Sequence, residues 1–380
     1  MKSIRKIPAA IKRDLTGPLK REILFRKAKP RVATLFLTYR CTSKCKTCTA
    51  WMRPSEKERE LDLASWEKIV YELHGSGVRI AELFGGDIFL RKDILFGLIK
   101  RMKALNFTVH IPTNAILVDE NTAQGLAELG VDYLYLSTDG VAETHDHIRR
   151  IDGNFSGVEQ AIDMVLAARG ERQSPRLICN TTVSKLNFDQ LGKIADFAAH
   201  KNFDEIHFEY VGEMSEEHIQ NSVIDGIEPT PFYVKQDDSV LLNREEAVSL
   251  RKTLTGIRKK YQGNRLTVVT INIDTLSLED LHLGTIPNRK CYVERTEVTI
   301  DPYGNLVACP IINNYIFGNV VNERFDRIWN NGLHQRFRQN QISGKIALCE
   351  HCILGVQRNH SFLAALKRNL LFERGWALPK

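Results

Sequence analysis

Residues 31–51 read RVATLFLTYRCTSKCKTCTAW. The first nine are rich in β-branched and apolar residues and predict a buried strand. That strand delivers the chain into a loop carrying Cys41, Cys45 and Cys48, with three and then two residues between them. Three thiolates this close can wrap one corner of a metal cluster, and soft sulfur ligands suit iron–sulfur clusters and zinc. A structural zinc site closes on four ligands. This loop supplies three, and three on a four-iron cluster leave one iron open to chemistry. The other reading is a zinc site completed by a distant residue.

Outward from that loop, helix and strand patterns alternate. LASWEKIVYELHGSG places Leu63, Trp66, Ile69, Val70 and Leu73 on one helical face, stopped by Gly75 and Gly77. VRIAELFGGD, FTVHIPTN, VDYLYLSTDG, PRLICNTTV and DEIHFEYVG predict further strands. The helices between them are DILFGLIKRMKAL (capped by Asp93), ENTAQGLAELG, NFSGVEQAIDMVLAARG (capped by Asn154) and DQLGKIADFAAHKN. Six strands alternating with helices predict parallel βαβ units. In such folds the loops at the carboxyl ends of the strands collect the active site. Here those ends carry Cys41–Cys48, Gly85-Gly86-Asp87, Thr113-Asn114, Ser137-Thr138-Asp139-Gly140, Asn180-Thr181-Thr182 and Glu209-Tyr210-Val211-Gly212. Each group alone also reads as turn chemistry. Residues 213–242 lack a clear period and predict a long loop of the kind that serves as a lid or substrate loop. Asn243 and Glu246 form a capping box opening a helix over 244–261. Residues 265–273 read as a last strand, reaching Asp274.

The chain has 380 residues and eight cysteines. Four of them, Cys291, Cys309, Cys349 and Cys352, form a second group, enough to close a metal site. EVTIDPYGNLVAC (297–309) reads strand–turn–strand. Spacing alone leaves zinc and a four-iron cluster open for this group. Cys179, in an apolar run, reads as a small buried hydrophobe. No secretory signal is evident, so a reducing cytosol is expected, where grouped thiols are metal ligands more often than disulfides. No run of about 18 uncharged apolar residues occurs, which excludes a membrane-spanning helix.

The formal net charge is +7, but residues 1–31 carry +9 and 353–380 carry +4, leaving 32–352 at −6. That excludes a body that grips nucleic acid along its surface. Ile4, Ile7, Ile11 and Leu15 near the start, and Phe362, Leu363, Leu366, Leu370 and Leu371 near the end, sit at helical spacing among Lys and Arg. Basic amphipathic segments of this kind read either as membrane-surface contacts or as padding on the fold.

The Cys41-x3-Cys45-x2-Cys48 loop after a first strand, with FGGD (84–87), PTNA (112–115), STDG (137–140) and HDHIRR (145–150), resembles the radical S-adenosylmethionine (SAM) superfamily. The pattern Cys291…Gly304…Cys309…Cys349-x2-Cys352 resembles the twitch form of its SPASM extension. The resemblance implies a partial (β/α)6 barrel with a small C-terminal β-hairpin and helix module. Cys41, Cys45 and Cys48 would hold a [4Fe–4S] cluster that binds and cleaves SAM. Cys291, Cys309, Cys349 and Cys352 would hold an auxiliary [4Fe–4S] cluster. It further implies SAM contacts at Gly85, Gly86, Asp87, Asn114, Ser137, Asp139, Arg149, Thr182 and Val211. Arg149 also reads as a local ion pair with Asp146 or Glu143. Asp87 stands where the family has Glu, and Thr47 where it has a bulkier residue, so Trp51 is a substitute for packing adenine.

The implied activity is reductive cleavage of SAM to a 5′-deoxyadenosyl radical, then hydrogen abstraction from a substrate. A fully ligated auxiliary cluster suits relay of electrons in a net oxidation or bond formation. Glu209, Tyr210 and Asp274 are candidates for the base. The expected organisation is a basic N-terminal segment (1–31), the barrel core (32–213), a substrate loop, helix and last strand (214–287), the auxiliary-cluster domain (288–355) and a basic C-terminal helix (356–380). An N-terminal leader-binding domain is expected to be absent. The substrate class is a peptide side chain or a small-molecule, lipid or sugar intermediate, with flavodoxin or ferredoxin as reductant. The expected location is the cytoplasm, with possible peripheral contact at the inner membrane face. The alternative from another class is a non-catalytic cysteine-rich metal protein.

Overall fold

The computed structural model describes residues 29–235, 238–285, 291 and 293–354. Both basic amphipathic segments lie outside that range, apart from residues 29–31. Ten strands form one sheet: β1 (Val32–Phe36), β2 (Ile80–Phe84), β3 (Thr108–Thr113), β4 (Tyr133–Ser137), β5 (Arg176–Val183), β6 (Glu205–Tyr210), β7 (Thr267–Val269), β8 (Glu297–Ile300), β9 (Asn305–Val307) and β10 (Ile316–Asn319). Their order is β10-β9-β8-β1-β2-β3-β4-β5-β6-β7. Strands β1 to β7 run parallel, each beside its sequence neighbour, as successive βαβ units require. This is the partial α/β barrel expected, with a seventh strand beyond the six.

Burial alternates along β2, β3 and β4, while β1 and β6 are buried on nearly every residue. On one side Ala33, Leu35, Ala81, Leu83, Val109, Ile111, Leu134, Leu136 and Leu177 are fully buried. They form one core with the apolar faces of helices Leu63–Gly75, Lys92–Ala104, Glu120–Glu128, Asn154–Arg169 and Leu191–His200. Cys179 belongs to that core. Each such Leu or Ile contributes about 1.5–3 kcal/mol by leaving water. The opposite, inner face carries Glu82, Phe84, Tyr135, Ser137 and Thr182, which stay only partly buried.

Three local expectations need correction. Residues 265–273 do not form one strand. After Val269 the Thr270 hydroxyl bonds the Asp274 carboxylate at 2.6 Å, four residues on, and closes a helical turn over Ile271–Asp274. Asn154 is not the cap of its helix. Asp146 accepts from the Gly153 and Phe155 amides at 2.7 Å, while the Asn154 side chain is buried against His145. Asp93 lies inside its helix and pairs with Arg91.

The hairpin after Thr296 matches the strand–turn–strand reading. The Asp301 carboxylate accepts from the Tyr303 and Asn305 amides, and Gly304 takes the left-handed conformation (φ +83°) that the turn needs. The sequence does not announce that β8 pairs in parallel with β1, from Val32↔Glu297 to Leu35↔Ile300. The cysteine-bearing hairpin therefore continues the barrel sheet.

Candidate functional site

The first cysteine loop leaves β1 and is held from three sides. Glu60, its side chain 2% exposed, accepts from Thr38 Oγ1, Arg40 Nε and Arg40 Nη2. Arg91 reaches the same carboxylate at 3.4 Å and donates to the Leu37 and Leu61 carbonyls. Next, the end of β2 runs against the loop. Gly86 N donates to Thr38 O and Asp87 N to Arg40 O. A Cβ on Gly85 would lie 2.8 Å from Thr38 O, and one on Gly86 would lie 2.2 Å from Arg40 O. Both glycines are there because two backbones touch. On the third side Asp87 Oδ2 accepts from Thr42 Oγ1 at 2.6 Å, and Asn114 Nδ2 donates to Thr42 Oγ1 and Ser43 Oγ. Burial raises the pKa of the Asp87 carboxyl.

Each sulfur of this loop receives one N–H. Ser43 N donates to Cys41 Sγ at 3.4 Å and Ala50 N to Cys48 Sγ at 3.4 Å, both from the backbone two residues on. Cys45 Sγ instead receives Arg149 Nη1 at 3.8 Å. Burial raises the Cys41 thiol to about 12 and also raises Cys48. Such thiols give up their protons when a metal takes the sulfur. Two buried guanidinium groups stand beside the loop. Arg53 lies over the Phe232 ring at 4.4 Å and gives Nη2 to Thr230 O. Among the described residues Arg53 Nε, Arg53 Nη1 and Arg149 Nε are buried without a hydrogen-bond acceptor. Orphaned cationic donors around three sulfurs fit an anionic thiolate-bound cluster.

The remaining expected residues divide by face. Asp139 is fully buried; it pairs with Arg149 Nη2 at 2.6 Å and accepts from Thr182 N. Arg149 therefore pairs with Asp139 rather than with Asp146 or Glu143. His145 bonds Asp139 N and Asn154, and burial then the nearby Arg149 charge lower it to about 4. Ser137 pairs with Asn180 and Thr182 with Glu209 in register, all on the inner face. Val211 packs with Tyr233 and Val240. Trp51 turns back, its Nε1 donating to Cys48 O.

Of the three candidate bases, Glu209 alone shares the inner face with Thr182. Tyr210 points to the helices, its hydroxyl donating to Leu281 O at 2.6 Å and accepting from Leu242 N at 2.9 Å. Asp274 lies after the last strand and is taken by Arg258 and Arg251. Glu60, Arg91, Arg53, Thr42 and Ser43 were not anticipated. Glu60 sits in SEKEREL (55–61), which looks like a solvated charge run.

Cys291, Cys309, Cys349 and Cys352 line one cavity with Val293, Ile312, Phe337 and Leu348. Burial, and then the charges of Cys349 and Cys352, raises Cys291 well above the ordinary thiol range. Four thiols around one apolar cavity make a donor set that can close a metal site.

The two sites are joined. Thr49 N donates to Phe232 O at 2.6 Å, and Thr230 Oγ1 meets Asn313 Oδ1. Asn313 Nδ2 then donates to Tyr39 Oη at 3.0 Å. Tyr39 and Asn313 stand two residues before Cys41 and four after Cys309. Segment 230–234 of the long loop thus lies between the two cysteine sets.

Family models match the radical SAM superfamily over residues 35–198 and an iron–sulfur cluster-binding SPASM domain over 291–353. The chain therefore carries a radical SAM domain and a C-terminal iron–sulfur cluster-binding SPASM domain, and the cofactors these domains take are SAM, the SAM-binding [4Fe–4S] cluster and an auxiliary [4Fe–4S] cluster. It is 27% identical over 195 residues to the Fe-coproporphyrin III synthase of Methanosarcina barkeri (strain Fusaro), covering 50% of this chain and 46% of that one. It is 27% identical over 163 residues to the PqqA peptide cyclase of Methylocella silvestris, covering 43% and 42%. The chain spans less than half the length of these curated relatives. Streptococcus suis SuiB bound to S-adenosylmethionine shares the fold with a TM-score of 0.63 at 16% identity, over 90% of this chain and 78% of that one. Among the described residues no helix is long and apolar enough to cross a membrane.

Proposed function

We propose that this protein catalyses a net oxidation or bond formation on a carbon centre of its substrate. A [4Fe–4S] cluster held by Cys41, Cys45 and Cys48 would supply the electron that cleaves SAM to a 5′-deoxyadenosyl radical able to abstract a substrate hydrogen, and a cluster held by Cys291, Cys309, Cys349 and Cys352 would offer a site for taking up the substrate's electron. The observation that carries this reading is the direct link between the two cysteine loops through Tyr39, Asn313 and segment 230–234. A site joined so closely to a closed four-cysteine site suits electron relay better than a purely structural metal.

In this reading Cys41, Cys45 and Cys48 hold the SAM-binding cluster and Cys291, Cys309, Cys349 and Cys352 the auxiliary one. The backbone of Gly85 and Gly86 and the inner-face side chains of Ser137 and Thr182 contact SAM, with Val211 at the adenine end. Asp87, Asn114 and Asp139 are spent on the loop and on Arg149, so their part is to hold the frame. Glu209 is the base, because its place on β6 shares the inner face with Thr182.

One relative is named for a porphyrin and the other for a peptide. The substrate classes carried forward are a peptide side chain and a small-molecule, lipid or sugar intermediate, with flavodoxin or ferredoxin as electron donor. Anaerobic reconstitution should give about eight irons per chain, and SAM with a strong reductant should release 5′-deoxyadenosine. Zinc in place of iron at both sites, with no 5′-deoxyadenosine, would refute the enzyme reading in favour of a metal-binding protein. A precursor-peptide gene beside this one would select the peptide class.

A further inference from the structure

We infer that Arg149, held by Asp139, is a built-in regulator of the electron affinity of the SAM-binding cluster, acting through a charged hydrogen bond to the sulfur of Cys45. This rests on the cluster assignment above but concerns a property that the family's cysteine motif does not specify.

Local backbone can supply one amide to a loop sulfur, and it does so for Cys41 and Cys48. Cys45 differs. Its described donor comes from the helix Glu143–Arg149, more than a hundred residues away, and it is a guanidinium. Hydrogen bonds to cluster sulfurs and net local charge both set the potential of an iron–sulfur site. A cationic donor stabilises the reduced, more negative cluster more than a neutral amide does. The effect is strong here because Arg149 is buried, with a side chain 13% exposed, and solvent screens it little.

The guanidinium is also fixed. Nη2 is 2.6 Å from Asp139 Oδ2, and Asp139 is itself 1% exposed and held by Thr182 N. Burial opposes the charge on Arg149, but the Asp139 carboxylate together with the sulfurs of Cys45 and Cys48 more than offsets it, so the group stays cationic. The pair has a counterweight built in: the carboxylate cancels part of the field that the guanidinium places on the cluster. Removing one partner or the other should therefore move the cluster in opposite directions. Arg53, near Cys48, adds a second cation.

The test is an anaerobic redox titration of the reconstituted full chain, followed by electron paramagnetic resonance. The SAM-binding cluster is identified as the signal that added SAM perturbs, and the other signal is the internal control. In Arg149→Gln the midpoint of the SAM-sensitive signal should become more negative. In Arg149→Lys it should fall between wild type and Arg149→Gln. In Asp139→Asn it should become more positive. The auxiliary signal should stay put in all three. Unmoved SAM-sensitive midpoints, with iron content at the wild-type level, would overturn the inference, as would equal shifts of both signals. If Arg149→Gln fails to hold iron, Arg149→Lys and Asp139→Asn still decide the matter by the sign of their shifts. If both sites take up zinc, the cluster reading itself fails, an outcome distinct from an unmoved midpoint.

Discussion

At the scale of single residues, much of the first site is framework for a loop. Gly86 touches the loop so closely that Gly86→Ala should displace it. We expect iron to fall from about eight to about four per chain, with the SAM-sensitive signal lost and the auxiliary one kept. Glu60 is a buried carboxylate shared by Arg40 and Arg91. Glu60→Gln removes one member of a buried ionic network and should cost about 3–5 kcal/mol, read as a lower denaturation midpoint. His145 gives a pH dependence. Its native pKa of about 4 lies below its ordinary value of 6.5, so the unfolded chain binds the extra proton first. The stability held by the neutral ring is complete above pH 6.5 and is lost as pH falls toward 4, by up to ~3 kcal/mol. The difference between wild type and His145→Asn in anaerobic melts across that range should show it. The cysteines were legible because thiols are rare and tightly spaced. Glu60 was not, because a charge that folding buries looks the same in sequence as one left in water. Arg149 was noticed, but its partner Asp139 lies ten residues away on another element, and pairing across elements leaves no local pattern.

At the scale of elements, period-two and helical patterns located β1 to β6 and their helices, because one face of each strand must lie under a helix. The same alternation explains the division between Glu209 and Tyr210: neighbours on a strand face opposite ways. Tyr210 joins the start of helix Arg244–Tyr261, through Leu242, to helix Leu278–Leu283. Tyr210→Phe leaves Leu242 N without its acceptor and should cost about 1–3 kcal/mol. Hydrogen exchange should rise across 242–283 and little elsewhere. The break after Val269 escaped the sequence reading because Thr270 and Asp274 close a turn through their side chains, while the apolar run around them still reads as strand.

At the scale of the whole molecule, charge partition and the two cysteine groups indicated a catalytic body with an appended cluster module. They did not indicate how the two are joined, since a parallel pairing between strands 265 residues apart carries no local signature. That join decides how the auxiliary cluster can be studied. Deleting everything from residue 291 would remove a cluster and would also strip β1 of its outer neighbour, baring a row of backbone groups along a buried, apolar strand. Such an edge invites other chains to add to it. The truncated protein should scatter light and sediment as aggregate, whatever the fate of its SAM-binding cluster. Replacing Cys309 and Cys349 by Ser leaves the hairpin in place and should keep the protein dispersed with about four irons. A loss of activity after truncation would therefore report on colloidal behaviour, and only the cysteine variants would report on electrons.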